Sequence, residues 1–367
     1  MRETKRNRIR VLVIDDSAYN RQAIIEMMES DTEIEVVGLA ANGEEGLKEA
    51  LSLRPDIITL DLEMPKMDGF TFLRILMSRL ATPVIVISSY SRKQNVFKAL
   101  ELGALDFIAK PTRYLSPELH KIRDELVEKI KLVRLLKSPQ AREVAADVAA
   151  EPRADAGALT EKLPGEDFPH MAMIVIGAST GGPPALQGLL QELSLQLPAA
   201  VLIAQHMPEN FTAAFADRLN RYTGLDVCEA HDGERIEPGH VYISPGGQNM
   251  AVRRDGKILR IVLSAPGQGA KYTPSIDVLF ESAAESMKSR TLGVLLTGMG
   301  SDGKIGMQAI KKAGGRTVAE SEETAVIFGM PKEAIDCGCV DVVIRLDRVA
   351  KEIASFTETT CGKLVDD

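Results

Sequence analysis

The chain has 367 residues, 45% of them hydrophobic, and a formal net charge of −8; at roughly 150 residues per domain this suits about two domains with ordinary cores. No apolar run approaches the ~20 residues needed to cross a bilayer, and the basic opening MRETKRNRIR lacks the apolar region of a secretory signal, so a cytoplasmic protein without membrane insertion is expected. The five Arg and Lys residues of that opening have no interleaved aromatics and sit on an acidic chain, which argues for a solvated tail and against nucleic acid.

Taken in chain order, the β-branched runs IRVLVID, IEVVGLA, DIITLD, PVIVIS and DFIA are each followed by a helix-like stretch. Five strands alternating with helices predict a parallel sheet covered on both faces. The last helix is expected to start at Ser116, with Pro117 in its first turn and Leu119, Ile122, Leu126, Ile130 and Val133 at helical spacing. Residues 138–170, rich in Ala, Pro, Gly and charge, read as an interdomain linker. Beyond it the alternation resumes with MAMIVIGA, AAVLIAQH, LGVLLTG and RTVAES. One antiparallel insertion is expected in MAVRRDGKILRIVL, with Asp255 and Gly256 as its two-residue turn. No repeat of solenoid period is present. The expected class is α/β, with two doubly wound parallel-sheet domains: residues 1–137, then the linker 138–170, then residues 171–367 carrying a β-hairpin insertion.

Ligands of open parallel sheets sit at the carboxyl ends of strands. In the first domain Asp15 and Asp16 end the first strand, Asp61 the third, Ser88 the fourth and Lys110 the fifth. Three carboxylates in one pocket repel each other and invite a hard divalent cation such as Mg²⁺. A lysine and a hydroxyl opposite them suit phosphoryl transfer, one by neutralising charge and the other by hydrogen bonding to phosphate oxygen. With VIDDS, LDLEMPKMDG, VIVISSY and IAKP, this set resembles the receiver domains of two-component response regulators over about the first 130 residues. The resemblance implies a flavodoxin-like fold, phosphorylation at Asp61, and Mg²⁺ held by Asp15, Asp16, Asp61 and the backbone carbonyl of Glu63. It also implies Lys110 paired with the phosphate, and Ser88 and Phe107 as the coupled switch.

In the second domain the turn in VIGASTGGPPA matches neither G-x-G-x-x-G nor the Walker spacing, and no lysine follows it. It does match G-x-S-x-G on a strand-to-helix turn, which exposes the Ser179 hydroxyl above a sheet, although non-catalytic Gly/Ser turns share that spacing. Of the five histidines, His120 lies on the outer helix of the first domain, His170 in the linker, and His231 and His240 beside a polar turn. Only His206 directly ends a buried strand at the same carboxyl edge, where a hydrogen-bonded core histidine is the alternative. Asp302, in LTGMGSDG beyond another buried strand, supplies a carboxylate that would fix the imidazole tautomer; a plain Asp-Gly turn is the alternative there. The order Ser, His, Asp differs from the Ser, acid, His order of α/β-hydrolases. Cys228, Cys337, Cys339 and Cys361 contain one C-x-C without a second pair for zinc, and read as reduced structural thiols.

IGASTGGP, AQHMPENFT, SPGG and LTGMGSDG together resemble the catalytic domain of the chemotaxis protein-glutamate methylesterases over nearly all of residues 171–360. The resemblance implies a Rossmann-like esterase domain with Ser179 as nucleophile, His206 as general base and then acid, and Asp302 as orienting carboxylate. Backbone groups near Thr180 and Met299 would bind the oxyanion, and no cofactor would serve ester hydrolysis. The implied partners are methyl-accepting chemotaxis receptors as substrate and a chemotaxis histidine kinase as phosphodonor. The receiver would inhibit the esterase until Asp61 is phosphorylated, and deamidation of receptor glutamines would be a second activity of the same chemistry.

Overall fold

The computed structural model describes residues 8–29, 31–88, 93–110, 118–136 and 171–362. The expected linker, the Ser116–Pro117 helix start, His170, most of the basic opening and the side chains of Leu119 and His120 lie outside the described residues. The chain divides into two compact units, residues 1–147 and 148–367.

The first unit holds a parallel sheet of β1 (Ile9–Ile14), β2 (Ile34–Ala40), β3 (Ile57–Leu60), β4 (Val84–Ser88) and β5 (Asp106–Ala109), in the order β2-β1-β3-β4-β5. Every residue of β3, β4 and β5 is buried, which is why these strands read as continuous apolar runs rather than alternating ones. Between them run α1 (Ala18–Glu29), α2 (Gly43–Leu53), α3 (Gly69–Arg79) and α4 (Lys93–Glu101), and α5 (Glu118–Lys131) closes the unit. At the start of α2 the Asn42 side chain accepts from Glu45 N at 3.0 Å while the Glu45 carboxylate accepts from Ala41 N at 3.1 Å. That reciprocal cap is worth about 1 kcal/mol. From α5, Leu126 and Ile130 enter the core, with Ile122 and Val133 partly buried beside them. The strand order reverses at β1, so the crevice between the carboxyl ends of β1 and β3 is the switch point where such sheets take ligands.

The second unit holds seven parallel strands: β6 (Ala172–Ala178), β7 (Ala199–Gln205), β8 (Asp226–Glu229), β9 (His240–Ile243), β12 (Thr291–Leu295), β13 (Arg316–Glu320) and β14 (Val342–Ile344). Their order is β14-β13-β12-β6-β7-β9-β8, and β6 and β7 are buried throughout. The helices are α6 (Gly182–Glu192), α7 (Thr212–Thr223), α8 (Ile276–Met287), α9 (Lys304–Lys312), α10 (Met330–Asp336) and α11 (Leu346–Gly362). Here the switch point lies at β6, with β7 on one side and β12 on the other. Strands β8, β9 and β14 were not legible beforehand, because three or four residues of mixed polarity carry too little periodicity.

The antiparallel insertion is β10 (Asn249–Asp255) paired with β11 (Ile258–Ser264) as a separate two-stranded sheet. Its turn differs by one residue from the expectation: Asp255 pairs with Ile258, so the loop residues are Gly256 and Lys257. Gly256 has φ +60° and Lys257 is not among the positive-φ residues, as in a turn that needs glycine only at its first central position.

Candidate functional sites

The crevice at β1 and β3 is acidic. Asp15, Asp16 and Asp61 follow their strands directly and bring one carboxylate oxygen each to within 4.8 Å of one another. Asp15 and Asp61 are buried and Asp16 is exposed. From the end of β5 the Lys110 ammonium reaches Asp61 Oδ2 at 2.6 Å and Asp15 Oδ2 at 3.0 Å. Burial pushes the Asp61 carboxyl above the usual carboxylate range, aided by the charge of Asp15 and opposed by Lys110. Burial works against the Lys110 charge as well, but Asp61 and Asp15 outweigh it and hold the ammonium above its ordinary value. One cation thus serves two carboxylates, a deficit of positive charge that a hard, oxygen-seeking divalent ion fits.

Around that pocket, Asp61 Oδ1 accepts from Glu63 N at 3.3 Å, while the Glu63 residue itself is exposed. Ser88 is buried at the end of β4, and its carbonyl accepts from Lys110 N at 2.7 Å. Phe107, opposite Val86 in the β4–β5 ladder, is buried with the Lys129 ammonium 5.6 Å from its ring centroid.

In the second unit three loops meet above β6. Ser179 leaves β6, His206 leaves β7, and Asp302 lies in the loop between β12 and α9. His206 Nδ1 is 3.2 Å from Ser179 Oγ, and His206 Nε2 is 2.8 Å from Asp302 Oδ2. Asp302 is 5% exposed and sits at the N-terminus of α8, where its carboxylate accepts from Ile276 N at 2.8 Å and Asp277 N at 3.0 Å. Ser275 Oγ at 3.2 Å and Gly303 N at 3.1 Å complete its shell. Burial alone would raise the Asp302 pKa, but the hydrogen bond and charge of His206, together with those backbone N–H groups, hold it below the usual carboxylate range. An ionised Asp302 keeps the imidazole proton on Nε2, which leaves the Nδ1 lone pair facing the Ser179 hydroxyl.

The nucleophile turn is held from below. Ser179 N donates to Thr297 O at 3.0 Å, Thr297 Oγ1 donates to Thr180 O at 3.0 Å, and Gln205 Nε2 donates to Ser179 O at 2.9 Å and His206 O at 3.1 Å. Thr297 N in turn donates to the buried Glu320 carboxyl at 2.8 Å. The β12 loop passes so near that a Cβ on Gly298 would lie 2.7 Å from Ser179 Cβ, so only glycine fits there. Gly298 N is spent on Ile327 O, as Ser179 N is on Thr297 O. Thr180 is buried behind the turn and Met299 is half-buried beside it.

Two other histidines are placed away from this site. His231 is exposed beside Glu234, and His240 opens β9, with Nδ1 3.3 Å from Asp226. Sequence reasoning missed Tyr272, whose ring stacks on the His206 imidazole with centroids 4.7 Å apart and planes within 3°. No spacing marks Tyr272, which lies far from His206 in the chain. Gln205 and Glu320 carry a signal in the sequence, since each is a polar residue ending a buried strand.

Residues 174–353 match the family model described as CheB methylesterase, and residues 11–121 match the response regulator receiver domain model. The chain is 49% identical to a protein-glutamate methylesterase/protein-glutamine glutaminase of Geobacter sulfurreducens, over 98% of this chain and 99% of that one. It is 49% identical to one of Myxococcus xanthus, over 95% and 97% of the two chains. The crystal structure of the Thermotoga maritima CheB methylesterase catalytic domain matches with 38% identity, covering 50% of this chain and 96% of that one, at a TM-score of 0.49.

Proposed function

The chain belongs to the CheB methylesterase family, and from that premise we propose that it hydrolyses glutamyl methyl esters on chemoreceptors by acyl transfer through Ser179. The observation that carries this reading is His206, bonded to Ser179 Oγ through one ring nitrogen and to Asp302 through the other. Ser179 Oγ attacks the ester carbonyl as its proton passes to His206 Nδ1. The imidazolium is balanced by Asp302 across Nε2 and covered on one face by Tyr272. Nδ1 then gives the proton to the departing methanol, and a water activated by the same nitrogen frees the glutamate. Backbone N–H groups near Thr180 and Met299 would take the oxyanion, as the family resemblance implies. A glutaminyl amide reacts by the same steps with ammonia leaving, in keeping with the double name of the relatives.

The receiver unit makes this esterase a switch. Asp61 is the phosphoryl acceptor, with a chemotaxis histidine kinase as donor. Asp15, Asp16, Asp61 and the Glu63 carbonyl would hold Mg²⁺, which when bound neutralises the phosphoryl oxygens. Lys110 transfers its ion pair to the phosphate, and Ser88 and Phe107 respond as the coupled switch. The unphosphorylated receiver, residues 1–137, restrains the catalytic domain, residues 171–367, across the linker 138–170, and the reaction takes place in the cytoplasm. The test is methanol release from methylated receptor with and without phosphodonor and Mg²⁺. The rate should rise on phosphorylation and vanish in Ser179→Ala, and deleting the receiver should raise basal activity. An isolated catalytic domain slower than the intact unphosphorylated chain would overturn the restraint.

A further inference from the structure

We propose that Cys337 and Cys339 are a redox-active dithiol that closes to a reversible disulfide under hydrogen peroxide or a related hydroperoxide. The pair ends α10. Cys337 caps the helix with helical φ and ψ, and Gly338 reverses the chain at φ +72°. This turn folds both sulfurs onto one acceptor: each lies 3.1 Å from Ala334 O, and the two are 2.7 Å apart. A disulfide of about 2.05 Å is reached from there by moving the sulfurs together by well under an ångström. The four cysteines are free thiols, and of these Cys228 lies in β8 while Cys361 donates to Pro198 O, each away from the pair.

The two positions differ in the way a reacting and a resolving thiol differ. Cys337 is only partly buried, next to the open Gly338, whereas Cys339 is 3% exposed. Burial first, and then the neighbouring Cys337, push the Cys339 thiol up to about 12, so Cys339 is not the thiol that meets the peroxide first. The Lys311 ammonium, paired with Asp341 at 3.0 Å, donates to Gly338 O at 3.2 Å and so pins the turn between the two cysteines. The Cys337 thiolate attacks one peroxide oxygen, the O–O bond breaks, and the departing hydroxide takes up a proton as water. Cys339 sulfur then attacks the Cys337 sulfenic sulfur; its S–H proton leaves with the hydroxyl as a second water. Two electrons pass from the sulfurs to the peroxide. The site is wired to the catalytic loops: Cys339 Sγ lies 3.8 Å from Lys304 O, two residues beyond Asp302, and Met330 N at the other end of α10 donates to Gly298 O at 2.8 Å.

The experiment exposes the full chain to hydrogen peroxide, quenches, denatures and counts thiols by alkylation and peptide mass. Titratable thiols should fall from four to two, the peptide spanning residues 334–340 should lose two hydrogens, and dithiothreitol should restore both. Cys337→Ser should keep its three thiols under the same exposure. Separately alkylated Cys337 and Cys339 after peroxide, an irreversible sulfinic acid at Cys337, or equal thiol loss in Cys337→Ser would each overturn the proposal. None of these readouts depends on esterase activity.

Discussion

Asp302 and Asp277 cap each other's helices. Asp302, just ahead of α9, accepts the N–H groups of Ile276 and Asp277 at the start of α8, while Asp277 accepts from Gly306 N at 2.7 Å in the first turn of α9. Burial, and then the charge of Asp302, raise the Asp277 carboxyl to about 6. The two carboxylates are therefore separable by substitution. Asp302→Asn should cut kcat by about 10² to 10⁴, because a neutral amide no longer selects the Nε2–H tautomer, and should lose some stability because an NH2 group replaces one of two accepting oxygens. Asp277→Ala should cost about 1 kcal/mol of stability, as a lost cap does, with a much smaller loss of rate. Equal rate losses in the two variants, measured as methanol release, would contradict this division.

Ser179→Ala should abolish nearly all turnover while thermal unfolding stays close to wild type, since the hydroxyl is bonded to His206 and not to the core. His206→Gln should lower the rate by about 10² to 10⁴. Methanol release near the wild-type rate in Ser179→Ala would remove the serine from the chemistry.

Gln205 is 2% exposed and ties Ser179 and His206 together through its side-chain amide. Gln205→Ala leaves the His206 carbonyl without its side-chain donor, at about 1–3 kcal/mol, while the Ser179 carbonyl keeps Gly182 N. Lower stability together with a fall in kcat rather than a rise in KM is the expected pattern, read from denaturant melts and steady-state rates.

Glu320 is fully buried, and its carboxyl is pushed up to about 7, chiefly by burial and against the hydrogen bonds from Thr297 and Thr324. A raised acid favours folding in its protonated form, so the cost appears as pH rises from the ordinary value of 4.5 to about 7. At 1.36 kcal/mol per pH unit, this approaches about 3 kcal/mol by pH 8. Glu320→Gln keeps an acceptor for Thr297 N without a charge. Its stability relative to wild type should therefore rise between pH 5 and pH 8; a difference independent of pH would mean that the carboxyl does not titrate there.

Asp61→Asn should remove the response to phosphodonor while leaving the basal esterase rate, and chelation of Mg²⁺ should remove the same response in the wild type. Lys110→Ala should destabilise the receiver unit, because Asp61 and Asp15 then face each other without their shared cation. Added Mg²⁺ should recover part of that loss by binding the folded state, a shift visible in thermal melts.

The chain's local chemistry determined a great deal alone. Continuous apolar runs gave the long buried strands, and a polar residue just past each run placed Asp15, Asp61, Lys110, Ser179, His206 and, one loop further, Asp302 at carboxyl edges. Those features are written in periods of two and 3.6 residues, which a sequence carries directly. Only the tertiary structure decided which edges meet. The strand order puts β7 and β12 on either side of β6, and so brings three loops to one place. It also decided that His206 turns Nδ1 to Ser179, that Tyr272 covers its ring, and that the first turn of α8 holds Asp302 ionised. Each of these is a contact between residues far apart in the chain, made by packing rather than by spacing.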